Sequence, residues 1–114
     1  MSEPFIQRLI ETAPELRAAY DAHLRDNDEL LSCVFLGDVT RIVVERCTDG
    51  DGTELLGGLL GLLERELEAK DPRIEQLVVL GFCENLLGET YALNVLVPMM
   101  GPLLFAELKK MRAP

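Results

Sequence analysis

The chain contains one histidine, His23, and a hydrolytic site built on it would need a nucleophile beside the imidazole and a carboxylate to orient the ring. Asp26 lies one helical turn away, but no serine or cysteine near His23 completes such a set. The spacing therefore makes His23 a surface or half-buried helix residue rather than a catalytic one. Asp49-Gly50-Asp51-Gly52-Thr53-Glu54 has the composition of a calcium loop and the wrong spacing. An EF-hand needs glycine sixth and glutamate twelfth, and counting from Asp49 those places hold Glu54 and Leu60. A turn leading into a helix is the expectation. Cys33, Cys47 and Cys83 include no pair at zinc-ligand spacing. Gly57, Gly58 and Gly61 lack the Lys-Ser or Lys-Thr that follows a phosphate loop. The residue types thus point to no metal, no cofactor and no enzymatic chemistry.

Two polar insertions interrupt apolar stretches: Gly37-Asp38-Val39-Thr40-Arg41, and Glu84-Asn85 after Cys83. An unpaired buried polar group costs about 1–3 kcal/mol, so these residues need partners. Asp38 and Arg41 stand at i,i+3 and can satisfy each other, with Glu84 a further partner for Arg41. Structural pairing is the expectation, with a binding role as the alternative. Glu64, Glu66 and Glu68, with Arg65 and Lys70, read as a solvated helix face carrying an i,i+4 pair between Glu66 and Lys70.

The elements that position these residues are helical. Phe5, Ile6, Leu9 and Ile10 mark a first helix, and Pro14 reads as the first position of a second, capped by Thr12 or Ala13. Its apolar face is Leu16, Ala19, Tyr20, His23 and Leu24, and Asp26-Asn27-Asp28 ends it. Between Leu30 and Cys47 a strand is conceivable, but Phe35, Val39, Ile42, Val43 and Cys47 share a helical face. Thr53 is placed as the cap of a long helix reaching Lys70, with Leu56, Leu59, Leu60, Leu63 and Leu67 on its core side. Close approach of a neighbour at Gly57 and Gly61 would explain those glycines, each of which costs about 1 kcal/mol in a helix interior. Asp71-Pro72 opens another helix, stopped by Gly88; Leu77 to Cys83 within it has a buried strand as its alternative. Pro98 and Pro102 must divide the uncharged stretch from Tyr91 to Ala106.

These patterns give an all-α chain, an irregular bundle or short repeat-like stack of about six helices forming a single helical domain over residues 1–114. Hydrophobic residues make up 48% and aromatics 5%, with no Trp, so the core is aliphatic and the chain is no disordered acidic tail. The formal net charge of −9 disfavours nucleic acid and anionic membrane surfaces and favours a basic protein partner. An odd cysteine count, an N-terminus unlike a secretory signal and no long unbroken apolar run place the chain in the cytoplasm.

Leu16, Tyr20, His23-Leu24, Asn27 and Glu29-Leu30-Leu31, then Phe35-Leu36-Gly37-Asp38 and Arg41, then Val79 and Phe82-Cys83-Glu84-Asn85-Leu86, recur in an order that resembles a family of small bacterial proteins known as a domain of unknown function. The chain departs from that family at Ile42, where an aromatic residue is the tendency. The resemblance implies a helical bacterial domain and no particular activity, cofactor or site. Size and acidity are also similar to immunity proteins and antitoxins, as a class. The functional expectation is an acidic, non-enzymatic interaction domain, an inhibitor of a basic bacterial protein, with contacts at Asp26, Asp28, Glu29, Asp38, Arg41, Glu45, Asp49, Asp51 and Glu84. Alternatives are a self-associating scaffold or accessory subunit, dimerising through Tyr91–Phe105, and a small-ligand carrier or enzyme with a pocket between helices.

Overall fold

Apolar residues at helical spacing recur along almost the whole chain, and each such stripe must find a neighbour to cover it. In the structure, a computed structural model that describes residues 3–49 and 52–112, they do so as seven helices, with no strand among the described residues. Helix α1 spans Glu3–Thr12, α2 Leu16–Asn27, α3 Ser32–Asp49 and α4 Thr53–Glu68. Helix α5 runs over 72–86: an α-helical start at Pro72–Leu77, a π-helical turn at Val78–Cys83 and a last α-turn at Glu84–Leu86. Helix α6 spans Thr90–Leu96 and tightens into a 3-10 turn at Val97–Met99. Helix α7 spans Pro102–Arg112. Both prolines divide the C-terminal stretch, as the sequence requires: Pro98 lies in the 3-10 turn that ends α6, and Pro102 opens α7.

Helix α3 packs against α2, α5 and α6, while α4 packs against α1, α5 and α7. Helix α5 thus lies between the two groups. The five leucines of the α4 stripe are all buried, and Leu62 joins them because α4 has neighbours on two sides. Leu36 and Thr40 widen the buried face of α3 beyond the expected stripe, since α5 covers that flank. The radius of gyration is 13.2 Å, close to the roughly 13 Å expected for a folded chain of this length.

Residues 32–47 and 77–83 are helical, as their spacing and length imply. Several other local expectations change. Helix α2 starts at Leu16 after a Pro14-Glu15 turn, in which Leu16 N–H donates to Ala13 O. Its cap position is Glu15, whose carboxylate goes instead to Arg46. Thr53 is the first residue of α4, with Gly52 at the cap position. A Cβ at Gly57 would meet Met99 Cε at 3.9 Å and one at Gly61 would meet Arg65 Nη1 at 3.6 Å. Neither glycine admits a close helix, and nothing in the structure explains them. Close approach occurs at Gly81 instead, where a Cβ would lie 2.5 Å from Leu36 Cβ.

Candidate functional site

The densest group of the expected contact residues lies at the corner between α2 and α3, and backbone geometry makes that corner rigid. Asp28 takes the left-handed conformation (φ 61°), and its N–H donates to Leu24 O at 2.9 Å. Asn27 Nδ2 donates to His23 O at 2.9 Å. The ring of His23 then reaches across the corner: the N–H of Leu31 donates to Nε2 at 2.9 Å. This corrects the expected position of His23, which is 3% exposed and stands against the Phe35 ring. Because Nε2 accepts, the ring proton sits on Nδ1, 3.9 Å from Asp38 Oδ2. The lone pair that a general base would use is committed to a backbone amide.

On the outside of this brace Asp26, Asp28 and Glu29 are exposed, and none forms an ion pair with a described residue. Beside them Leu31 is 37% and Val34 52% exposed. The corner therefore combines unneutralised carboxylates with uncovered aliphatic surface.

The other expected contact residues do not join it as one patch. Asp38 is half-buried and pairs with Arg41 Nη1 at 3.4 Å, as its spacing implied. Arg41 is exposed and takes Asp38, not Glu84, as its carboxylate; Glu84 is exposed at the end of α5. Glu45 is exposed further along α3, and Asp49 is exposed at its far end. At 1.5 Å per residue that end lies roughly 25 Å from the corner. Asp51, like Gly50, lies outside the described residues. No group of metal-ligating side chains is present among the described residues.

Between α3 and α5 the polar insertions meet. Glu84 N–H donates to Val79 O, five residues back, so the π turn widens the helix where it crosses α3. Gly81 O accepts from Asn85 Nδ2 at 2.8 Å and from Thr40 Oγ1 at 2.9 Å; the Thr40 hydroxyl is also 2.7 Å from Leu36 O. Asn85 is thus held by the turn it follows. Beside this contact a cleft of about 180 Å³ is lined by Gly37, Thr40, Arg41, Val44, Asn85 and Glu89.

Two glutamates read as a solvated face are structural. Glu66 is buried and receives Arg8 Nε at 2.5 Å and Nη2 at 2.8 Å, tying α1 to α4 in place of the expected pair with Lys70. This hydrogen bond raises the Arg8 guanidinium further above its ordinary range, with partial burial opposing it. Glu64 accepts from Leu103 N–H at 2.8 Å and Leu104 N–H at 2.9 Å, capping α7. Cys33 is exposed. Cys47 and Cys83 are buried; burial raises the Cys47 thiol, and it pushes Cys83 up to about 12 with the charge of Glu107 adding to the shift. The apolar C-terminal stretch is largely absorbed by the core, which takes Ala92, Leu93, Leu96 and Leu104 and leaves Tyr91 61% and Leu103 38% exposed. No helix among the described residues is long and apolar enough to cross a membrane.

The family described as Domain of unknown function (DUF7674) matches residues 6–113, and the chain belongs to it. Searches of curated proteins and of solved structures found no match.

Proposed function

We propose that this member of the DUF7674 family is a cytoplasmic protein-interaction domain that presents its α2–α3 corner to a basic partner and performs no chemistry of its own. The observation that carries this reading is the corner itself: Asp26, Asp28 and Glu29 exposed without ionic partners, beside exposed Leu31 and Val34, on a turn braced by His23. Uncompensated negative charge speeds encounter with a cationic surface. A pre-ordered turn loses little conformational freedom on binding, and the aliphatic side chains supply area to exclude water. Commitment of His23 Nε2 to Leu31 N–H supports a non-catalytic role for the histidine. In its finer form the reading is an immunity- or antitoxin-like inhibitor whose carboxylates occlude the cationic site of a bacterial protein.

Affinity capture from the native host tests it, comparing the wild-type chain with an Asp26→Asn, Asp28→Asn, Glu29→Gln variant. Asparagine tolerates the left-handed backbone at position 28, so the variant keeps the turn. The expected result is a basic protein held at low salt, released at moderate salt and lost from the variant. Recovery of no partner, or equal recovery by both chains, overturns the reading.

Self-association is the second reading. Tyr91 and Leu103 support it, because both are large apolar side chains that stay exposed on that stretch. Light scattering that finds a strict monomer at high concentration removes it.

A further inference from the structure

The cleft between α3 and the α5–α6 link differs from the other hollows in its chemistry. A larger groove of about 310 Å³ along α6 is lined by Thr90, Leu93, Asn94, Val97 and Pro98 and holds no charged group. A hollow of about 260 Å³ between the α1–α2 turn and α4 is lined by Arg46, Glu15 and Glu54, but there the guanidinium is already engaged by Glu15 of the same hollow. The α3–α5 cleft is lined by a cation and an anion that are not paired with each other: Arg41 from α3 and Glu89 from the link before α6.

We propose that this cleft binds a small zwitterion, a molecule of amino-acid size with one carboxylate and one ammonium group. Arg41 meets Asp38 through Nη1 alone at 3.4 Å, which leaves the rest of its donor fork for a carboxylate. Glu89 stands at the cap position of α6 without capping it and forms no ion pair with a described residue, so its carboxylate is available to an ammonium. Asn85 spends Nδ2 on Gly81 O, and its Oδ1 remains as a second acceptor for that ammonium. The π turn fixes this amide, since the carbonyl it bonds is also held by Thr40 from the facing helix.

Size follows from Gly37. The cleft of about 180 Å³ holds roughly six water-sized volumes, enough for a small amino acid. Gly37 is one of its lining residues, yet packing does not demand glycine there: a Cβ would meet Asn85 Nδ2 at an ordinary 3.6 Å. A methyl at this position narrows the cleft and leaves the helix contact in place. None of the corner carboxylates lines the cleft, so the proposal does not depend on the interaction reading.

Titration of the full chain with L-alanine and γ-aminobutyrate, followed by ¹H–¹⁵N spectra, tests the proposal; butyrate and butylamine serve as single-charge controls. Saturable shifts centred on the amides of Gly37, Arg41, Asn85 and Glu89 are expected with at least one of the two zwitterions. Each control, lacking one of the two charge contacts, is expected to bind about tenfold more weakly or worse. Gly37→Ala and, separately, Glu89→Gln should each weaken the zwitterion by a similar factor while thermal unfolding stays at or above the wild-type temperature. Absence of saturable shifts with both zwitterions, equal binding of a single-charge control, or wild-type binding by folded Gly37→Ala overturns the proposal.

Discussion

Leu31 donates its backbone N–H to Nε2 of His23 at 2.9 Å, across eight residues of chain. The imidazole thereby acts as an internal cap at the start of α3, supplied from the last turns of α2. A buried ring that satisfies a backbone donor fixes both the turn and the tautomer.

Removing the ring should therefore open the corner. His23→Ala leaves the Leu31 N–H without its acceptor and a void beside Phe35, and is expected to cost about 2–4 kcal/mol in urea unfolding. His23→Gln, whose side-chain carbonyl can accept, should lose less. Amide exchange at Leu31 as slow in His23→Ala as in the wild type would show that the bond does not hold the turn.

Glu64 and Gly101 act as a pair. A Cβ at Gly101 would fall on the Glu64 side chain, which can swing away only by releasing the N–H groups of Leu103 and Leu104. Glu64→Ala is expected to cost about 1 kcal/mol, in the range of a lost helix cap, and Gly101→Ala about the same. Because both remove one cap, the double variant should cost about as much as either single one. Additive losses in a double-mutant cycle would refute the shared cap.

Thiol chemistry should separate the three cysteines. In the native protein at pH 8, Cys33 is expected to react with an alkylating reagent promptly, and Cys47 and Cys83 only after denaturant is added. The Cys83 thiol lies at about 12 in the folded chain against an ordinary 9.0, so the fold favours its protonated form. The resulting stabilisation is complete below pH 9 and is lost as pH rises toward 12. Cys83→Ala should flatten that alkaline decline, and an unchanged slope between pH 9 and 12 would refute the assignment.

Lys70 follows the end of α4 with φ 58°, a conformation that a side chain with a Cβ adopts at a cost. Lys70→Gly or Lys70→Asn should stabilise the chain by about 0.5–1 kcal/mol in chemical denaturation. Destabilisation by both would show that the Lys70 side chain contributes more than its backbone costs.

Much of the fold could be read locally. The leucine stripe of α4, the Asp71-Pro72 start of α5 and the breaks at Pro98 and Pro102 each state a helix property within a few residues. Asp71 does accept from Arg73 N–H at 3.0 Å, as a cap should. The Asp38–Arg41 pair was legible for the same reason, since i,i+3 neighbours on a helix meet whatever surrounds them.

The candidate site was legible only in part. The run Asp26, Asp28 and Glu29 was visible as an acidic turn, but its brace was not, because nothing in the spacing of His23 and Leu31 reveals a bond from a backbone donor to a buried ring. Nor do residue types disclose that Glu89 shares a cleft with Arg41, which requires the α5–α6 link to return beside α3.

By itself the sequence determined an all-α chain with an aliphatic core and a strong negative charge, because helix period, caps, prolines and composition act over short range. Only the tertiary structure decided which polar groups are structural. Glu66 has Lys70 one turn away and yet bonds Arg8, 58 residues distant, and Glu64 caps a helix some 40 residues later. The π turn at Gly81 belongs to the same category: it exists where Leu36 and Thr40 press on α5. Such partners are selected by desolvation, which begins only when packed helices exclude water and leave each buried donor or acceptor with few places to go.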